Sequence, residues 1–440
     1  MSERNSENRN IAVIALCLAI VGAAAMLYYH LHLFIPNALQ NRTAKDLGNG
    51  YAFGGDFYPI WLVARQWEVE RHDPYSAGMT REIQKGLFGR PLDASNSSDP
   101  PGDYREFAYP AFTELLLGST ADLEFPSLRL VLAVLLPLMT VASLWMWTRA
   151  LQWRMDPIWF AVLVVLALCS YPALEAFFAE QPGVIAAFLL AASMLAVRQN
   201  RLSLAGVLLS LTLIKPQMTI LAFLYLMFWS LSDRSRVRLA AGFLLTTSLM
   251  IGASLSIWPH WIVEWIRVLL GYPRYATPPL VALLLGTALG PYFGTAAILG
   301  LLGGGIVLAW RNRRPRVGSQ DFWLTLSTLL AITAVTLLPG QAVYDHVILI
   351  PGIVLVVRYR RELRGLGRIP RMLVVLSAIV LGWQWVAALG VIAAHLWLSP
   401  TNFAAVLALP TRTAASLPFV VLALLFYTTK VIPAGSQEFF

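Results

Sequence analysis

Charge is scarce in this sequence. Charged residues fill 13% of 440 positions, where a soluble domain carries roughly 25%. Lysine is nearly absent, at Lys45, Lys85, Lys215 and Lys430 only. Cysteine is limited to Cys17 and Cys169, both inside apolar runs. Two such thiols give neither a disulfide framework nor a thiolate metal site. There is no HExxH pair, no Walker A loop and no GxGxxG after a strand. That argues against a zinc-hydrolase centre and against cytoplasmic nucleotide hydrolysis as a driving force. What abounds is apolar side chain, at 58%, with a mean hydropathy of +0.64. A soluble fold of this length still presents a large surface to water and cannot hide that much. A plain soluble enzyme and a disordered chain are both excluded, and an all-α polytopic membrane protein is expected.

Apolar runs fill residues 11–29, 126–148, 157–175, 182–197, 202–214, 217–230, 239–257, 280–310, 321–338, 343–358, 372–396 and 414–432. A crossing takes about 20 apolar residues, so the expected count is about 12, with several short spans. The 280–310 run is too long for one span and contains Gly290, Pro291 and Gly294, which suits a re-entrant piece followed by a full helix. With a cytoplasmic N-terminus, five basic clusters fall inside: Arg149/Arg154, Arg198/Arg201, Arg234/Arg236/Arg238, Arg311 to Arg316 and Arg358 to Arg371. That bias sets the sidedness of the chain, and a bacterial-type inner (plasma) membrane is the expected location. The same bias accounts for the net charge of +9 without a nucleic-acid partner. Residues 36–125 and 258–279 then form two outer loops. The first carries apolar patches, Phe57 to Val63 and Leu115 to Leu117, read as amphipathic helices at the membrane surface. Trp258, Trp261, Trp265 and Tyr272 of the second suit the interfacial belt.

Several polar residues sit where they are expensive. Asp56 follows Gly54-Gly55, Glu180 and Gln181 precede Pro182, and Lys215-Pro216-Gln217 divides two short apolar runs. Gln341, Asp345 and His346 open the 343–358 run. All fall near the outer ends of spans, and a shared outer-facing cavity explains them together. Each has a plainer role: Asp56 can cap the helix starting at Phe57, Lys215 can snorkel, and Asp345 and His346 can form a local ion pair. Glu180 and Gln181 can be merely interfacial, and Tyr109-Pro110 a helix start. A carboxylate at that depth can act as general base on a hydroxyl acceptor while a lipid-linked phosphate leaves. Cationic groups such as Lys215 and His346 suit the departing phosphate.

Ordered pieces of the chain resemble a known family. They are Gly54-Gly55-Asp56-Phe57-Tyr58, Asp73-Pro74-Tyr75, Phe107-Ala108-Tyr109-Pro110-Ala111, Glu180-Gln181, Ala205-Gly206-Val207, Ile214-Lys215-Pro216-Gln217, Tyr344-Asp345-His346-Val347 and Leu349-Ile350-Pro351. In that order they resemble the polyprenol-phosphate-dependent glycosyltransferases of family 87, within the GT-C superfamily. The resemblance implies one GT-C membrane domain over 1–440 and an outer-facing active site. Asp56 is carried over as catalytic base. Lys215, Gln217 and Asp345 match family segments. Together with His346, Glu180, Gln181, Tyr109 and Tyr58 they are the candidate substrate and phosphate contacts. The implied activity is α-mannosyl transfer from polyprenyl-phosphate-mannose to a glycolipid or glycan, by inversion, in a monomer. No metal or other cofactor is expected. The chain departs from the family at Ala111, where a second proline is common, and in a Gly/Ser/Asp/Pro insert around Pro91–Asp103. Two rival classes are a polytopic transporter or lipid flippase and a non-catalytic envelope scaffold.

Overall fold

The computed structural model describes residues 2–431 apart from 48–49, 52–53, 71, 94, 97–98, 100–104 and 275, without the side chains of 2–8 and 68–70. Among the described residues the architecture is all helical, with no strands. Six helices are long and apolar enough to cross a membrane: Arg9–Thr43, Phe125–Ala150, Arg234–Ile257, Pro291–Arg311, Arg368–Trp397 and Pro400–Val431. A bent pair, Pro157–Leu168 and Tyr171–Phe178, makes a seventh if taken as one broken span. Leu130, Leu138, Leu245 and Leu376 are among the apolar side chains that these helices turn outward.

Three apolar runs read as spans yield shorter helices, Pro182–Arg198, Leu202–Ile214 and Pro216–Leu231, and the 280–310 run divides into a short helix, Leu280–Leu289, and the full-length Pro291–Arg311. Twelve crossings are therefore not reached on length and composition. Two breaks have local causes. Gly290 (φ 106°) separates Leu280–Leu289 from Pro291–Arg311, a backbone region open to glycine alone without strain. The 343–358 run is not one helix either. It is a 3₁₀ segment, Val343–Leu349, followed by a nine-residue helix, Ile350–Arg358, with Pro351 in its first turn. That helix rises only about 14 Å.

The Gln320–Thr336 helix lies at the centre. From Phe322 to Thr336 every residue but Thr328 is buried. It packs against Pro216–Leu231, Pro291–Arg311 and Leu417–Val431. Its N-terminal end meets the basic loops. Ser232 donates to the Arg313 carbonyl, Trp229 to Pro315 and Arg198 to Val317, at 2.8, 2.9 and 3.3 Å. Arg358 likewise reaches the Leu151 carbonyl. The basic clusters thus gather at one end of the bundle.

Residues 36–125 depart from the expected surface layer. The Tyr58–Glu70 helix buries Phe57 through Ala64 on every side. Tyr51, Tyr58, Trp61 and Phe125 form one aromatic group around it, with centroids 4.8–5.5 Å apart. This run is core, because the turn at Gly54 and the start of the Phe125 helix cover the face that a lone amphipathic helix would give to lipid. The Ala77–Phe88 helix is capped by Ser76, whose Oγ accepts from the Met79 N–H, and ends at Gly89 (φ 83°). It buries Met79, Ile83 and Leu87 on one stripe. Trp258 and Trp261 are also buried, packed with Trp67, Ala111 and Phe112 rather than spread along an interface. In the insert, Arg90 pairs with Asp99 at 2.5 Å. Its positions 94, 97–98 and 100–103 lie outside the described residues.

Candidate functional site

At the end of the bundle opposite the basic loops lies a cavity of about 830 Å³. Several helix ends reach its wall. The Pro182–Arg198, Pro216–Leu231 and Gln320–Thr336 helices carry Gln181, Lys215 and Leu337 at the cavity end. Their other ends meet the basic loops, about 25 Å away at 1.5 Å per residue.

Asp56 is held by its backbone and by both carboxylate oxygens. Its N–H donates to the Ala179 carbonyl at 3.1 Å, hooking the turn onto the 178–181 segment. Gly54 (φ 85°) makes the turn; a Cβ there would also run into the Phe178 carbonyl. One carboxylate oxygen accepts from Arg105 and the other from the Gln181 side-chain amide. Side chains, not a helix backbone, therefore take both oxygens.

Gln181 passes the network on. Its Oε1 accepts from Lys215 Nζ at 2.8 Å, and Lys215 donates to Asp345 Oδ1 at 2.6 Å. The result is a continuous chain, Arg105–Asp56–Gln181–Lys215–Asp345, from five separate stretches of sequence. Lys215 and Asp345 are 6% and 1% exposed, so each charge depends on the other. Local sequence fixes both. Pro216 keeps Lys215 out of helical geometry (φ −139°, ψ 70°) and opens the next helix at its first turn. Gly183 leaves room for the pair: a Cβ there would lie 2.5 Å from Asp345 Oδ1 and 3.4 Å from Lys215 Nζ. The Lys215 ammonium also sits 5.0 Å from the centroid of Tyr344, a cavity-lining ring.

Of the residues singled out in sequence, Asp56, Gln181, Lys215, Gln217 and Tyr109 line this cavity. Asp345 stands just behind, through Lys215. Three lie elsewhere. Glu180 (φ 54°) turns away to Arg129, Nε to Oε1 2.5 Å. Tyr58 packs in the aromatic group below. His346 faces a second, mostly apolar cavity of about 250 Å³, its Nδ1 3.2 Å from the Ala414 carbonyl. Sequence reading passed over Arg105, Arg42 and Glu175, all on the cavity wall. Arg105 stood in a polar stretch where one more charge carries no signal. Glu175 ends an apolar run, and its cost there was the missed sign. Tyr75 donates to the Tyr109 carbonyl at 2.7 Å and Trp265 to Ala108 at 3.0 Å, which fixes the Phe107–Ala111 segment against the cavity.

Residues 107–339 match the sequence profile of glycosyltransferase family 87. The chain belongs to that family. No curated protein and no solved structure matches this family 87 chain. The matched stretch holds Tyr109, Gln181, Lys215 and Gln217. Asp56 and Asp345 lie outside it and join it through hydrogen bonds. The protein is a glycosyltransferase by family, and its cavity is the candidate place of transfer.

Proposed function

We propose that this glycosyltransferase is an inverting α-mannosyltransferase of the GT-C type. It takes mannose from polyprenyl-phosphate-mannose and glycosylates a glycolipid or glycan. We place it as a monomeric single domain in a bacterial-type inner membrane, with a cytoplasmic N-terminus and an extracytoplasmic cavity. About 12 crossings are then counted by including the short apolar helices, which tilt or thin the bilayer locally. The observation that carries the reading is the continuous hydrogen-bonded chain from Arg105 to Asp345, with Asp56 open to the cavity.

In this reading Asp56 takes the proton of an acceptor hydroxyl. The hydroxyl oxygen attacks the anomeric carbon from the face opposite the phosphate. The bond from that carbon to the phosphate oxygen breaks, and its electron pair leaves on polyprenyl phosphate. A β-linked donor thus gives an α-linked product. The charges move together. As Asp56 becomes neutral, its hold on Arg105 weakens at the moment the departing phosphate gains negative charge. Arg105 and Lys215 meet that charge, and Gln217 adds a hydrogen-bonding amide. No metal enters the step, so chelators should leave turnover unchanged.

Purified protein in nanodiscs, given polyprenyl-phosphate-mannose and a panel of glycolipids, should form a new α-mannoside. Asp56→Asn should abolish turnover while donor binding persists; wild-type-like turnover in that variant would end the assignment of the base. Arg105→Ala should lower kcat by about a hundredfold or more, with a smaller change in donor KM. Uptake of donor into proteoliposomes without a covalent product would favour a flippase.

A further inference from the structure

Glu175 is a second carboxylate on the cavity wall, and the step above makes no use of it. It lies on the Tyr171–Phe178 helix, four residues before the Ala179 carbonyl that hooks Asp56. Its side chain is 25% exposed and lines the cavity. Its Oε2 is turned into the wall and has no hydrogen-bond partner.

Behind it stands His30. This ring is fully buried, and neither of its nitrogens has a hydrogen-bond partner. Its Nε2 lies 3.7 Å from Glu175 Oε2, beyond hydrogen-bond range. Phe34, Tyr171 and Phe178 surround the ring, with centroids 4.9–5.8 Å away. His30 belongs to a six-residue π-helix, Tyr29–Phe34, inside an otherwise α-helical span. Such bulges are uncommon and concentrate at functional sites, because the extra residue re-aims side chains. Unsatisfied buried polar atoms are costly. Three of them gather just behind the cavity wall, and the exposed quarter of the Glu175 side chain is the part that a ligand in the cavity reaches.

The chemistry of the wall selects the ligand. The cations Arg105 and Lys215 are each bonded to a carboxylate, Asp56 and Asp345. Among the described residues Glu175 has no such Arg or Lys partner, and no group of three His, Cys, Asp or Glu could hold a metal ion. The Tyr171 hydroxyl bonds this carboxylate from within the wall; a carboxylate accepts several hydrogen bonds, and its exposed part takes an O–H donor from the cavity. Tyr109, Tyr344, Trp265 and Tyr272 add aromatic faces to the same cavity. A pyranose offers both features, hydroxyls at its rim and an apolar face of C–H bonds.

We propose that Glu175, packed against His30, binds a sugar hydroxyl in the transfer cavity. The inference rests on that cavity being the place of transfer. Two ligands present such a hydroxyl, the donor sugar and an acceptor sugar. Octyl α-mannoside and polyprenyl-phosphate-mannose are the probes, titrated against full-length protein in nanodiscs by tryptophan fluorescence, which needs no turnover. Glu175→Gln should weaken one probe by about ten- to a hundredfold, the worth of a charged hydrogen bond, and leave the other little changed. One deoxy analogue of the affected probe should bind wild type and variant alike, naming the hydroxyl. His30→Gln should weaken the same probe less, and in transfer assays should raise its KM while kcat holds. Glu175→Gln should keep the wild-type Tm.

Equal loss for both probes and every deoxy analogue, no change for either, or a wild type that binds neither would overturn the proposal. Glycoside binding through Glu175 without any binding of polyprenyl-phosphate-mannose would instead remove the donor assignment and leave Glu175 as a sugar contact.

Discussion

Lys215 and Asp345 are the residues whose removal should be felt most. Breaking a buried pair by neutralising one partner leaves the other charge uncompensated, at about 3–5 kcal/mol. Asp345→Asn should lower Tm in nanodiscs accordingly. Lys215→Met with Asp345→Leu should recover much of that loss, yet stay inactive if Lys215 serves the leaving phosphate. Gly183→Ala should behave like a mild form of Asp345→Asn, since its methyl group would crowd Asp345 Oδ1. A second residue-scale outcome concerns pH. Arg90 bonds both oxygens of Asp99, at 2.8 and 2.5 Å, and holds its carboxyl at about 2, below the ordinary 3.8. The folded loop therefore gains stability above the unfolded value, and loses it as pH falls through the range between them. Protection of the Asp93 amide against hydrogen exchange, relative to a free amide at the same pH, should fall across that window, since it donates to Asp99 at 2.7 Å. Asp99→Asn should flatten the response.

At the scale of elements, breaks in helices carry the site. Pro216 stops one helix and starts another, leaving Lys215 between them. Pro216→Ala permits helix through Lys215 and should cost transfer activity more than stability, read as kcat against Tm. This break was legible, because a lysine and a proline interrupting apolar runs have few bland explanations. Asp56, Gln181 and Asp345 were legible on the same ground of cost. The break before Pro291 was legible from Gly290. The burial of Phe57 to Ala64 was not. An apolar helix reads alike whether lipid or protein covers it, and only the arrival of Phe125 and Tyr51 decides. The turns of Glu180 and His346 away from the cavity were also hidden. Residues adjacent in sequence to Gln181 and Asp345 point elsewhere once the backbone leaves regular geometry, as at Glu180 with φ 54°.

The whole molecule has two chemically different ends, basic loops at one and the cavity at the other, joined by the central Gln320–Thr336 helix. Sidedness can be read directly. Cys17 and Cys169 are the only thiols in the sequence, so a cysteine-free background needs two changes. Ala276→Cys, on the cavity wall, should react with an impermeant maleimide on intact cells. Arg316→Cys should react only after permeabilisation. The reverse pattern would invert the proposed orientation.

The distance in sequence between Lys215 and Asp345 also sets a schedule for making the protein. The two lie 130 residues apart, and chains grow at about 5–20 residues per second, so the lysine is made roughly 6–26 s before its partner. Through that interval the ammonium must be held at head groups or by the insertion machinery, because the helices around it are not yet closed. A ribosome stalled before Asp345 leaves a membrane-embedded cation without its counter-ion, a mark by which quality-control proteases can tell unfinished chains from finished ones.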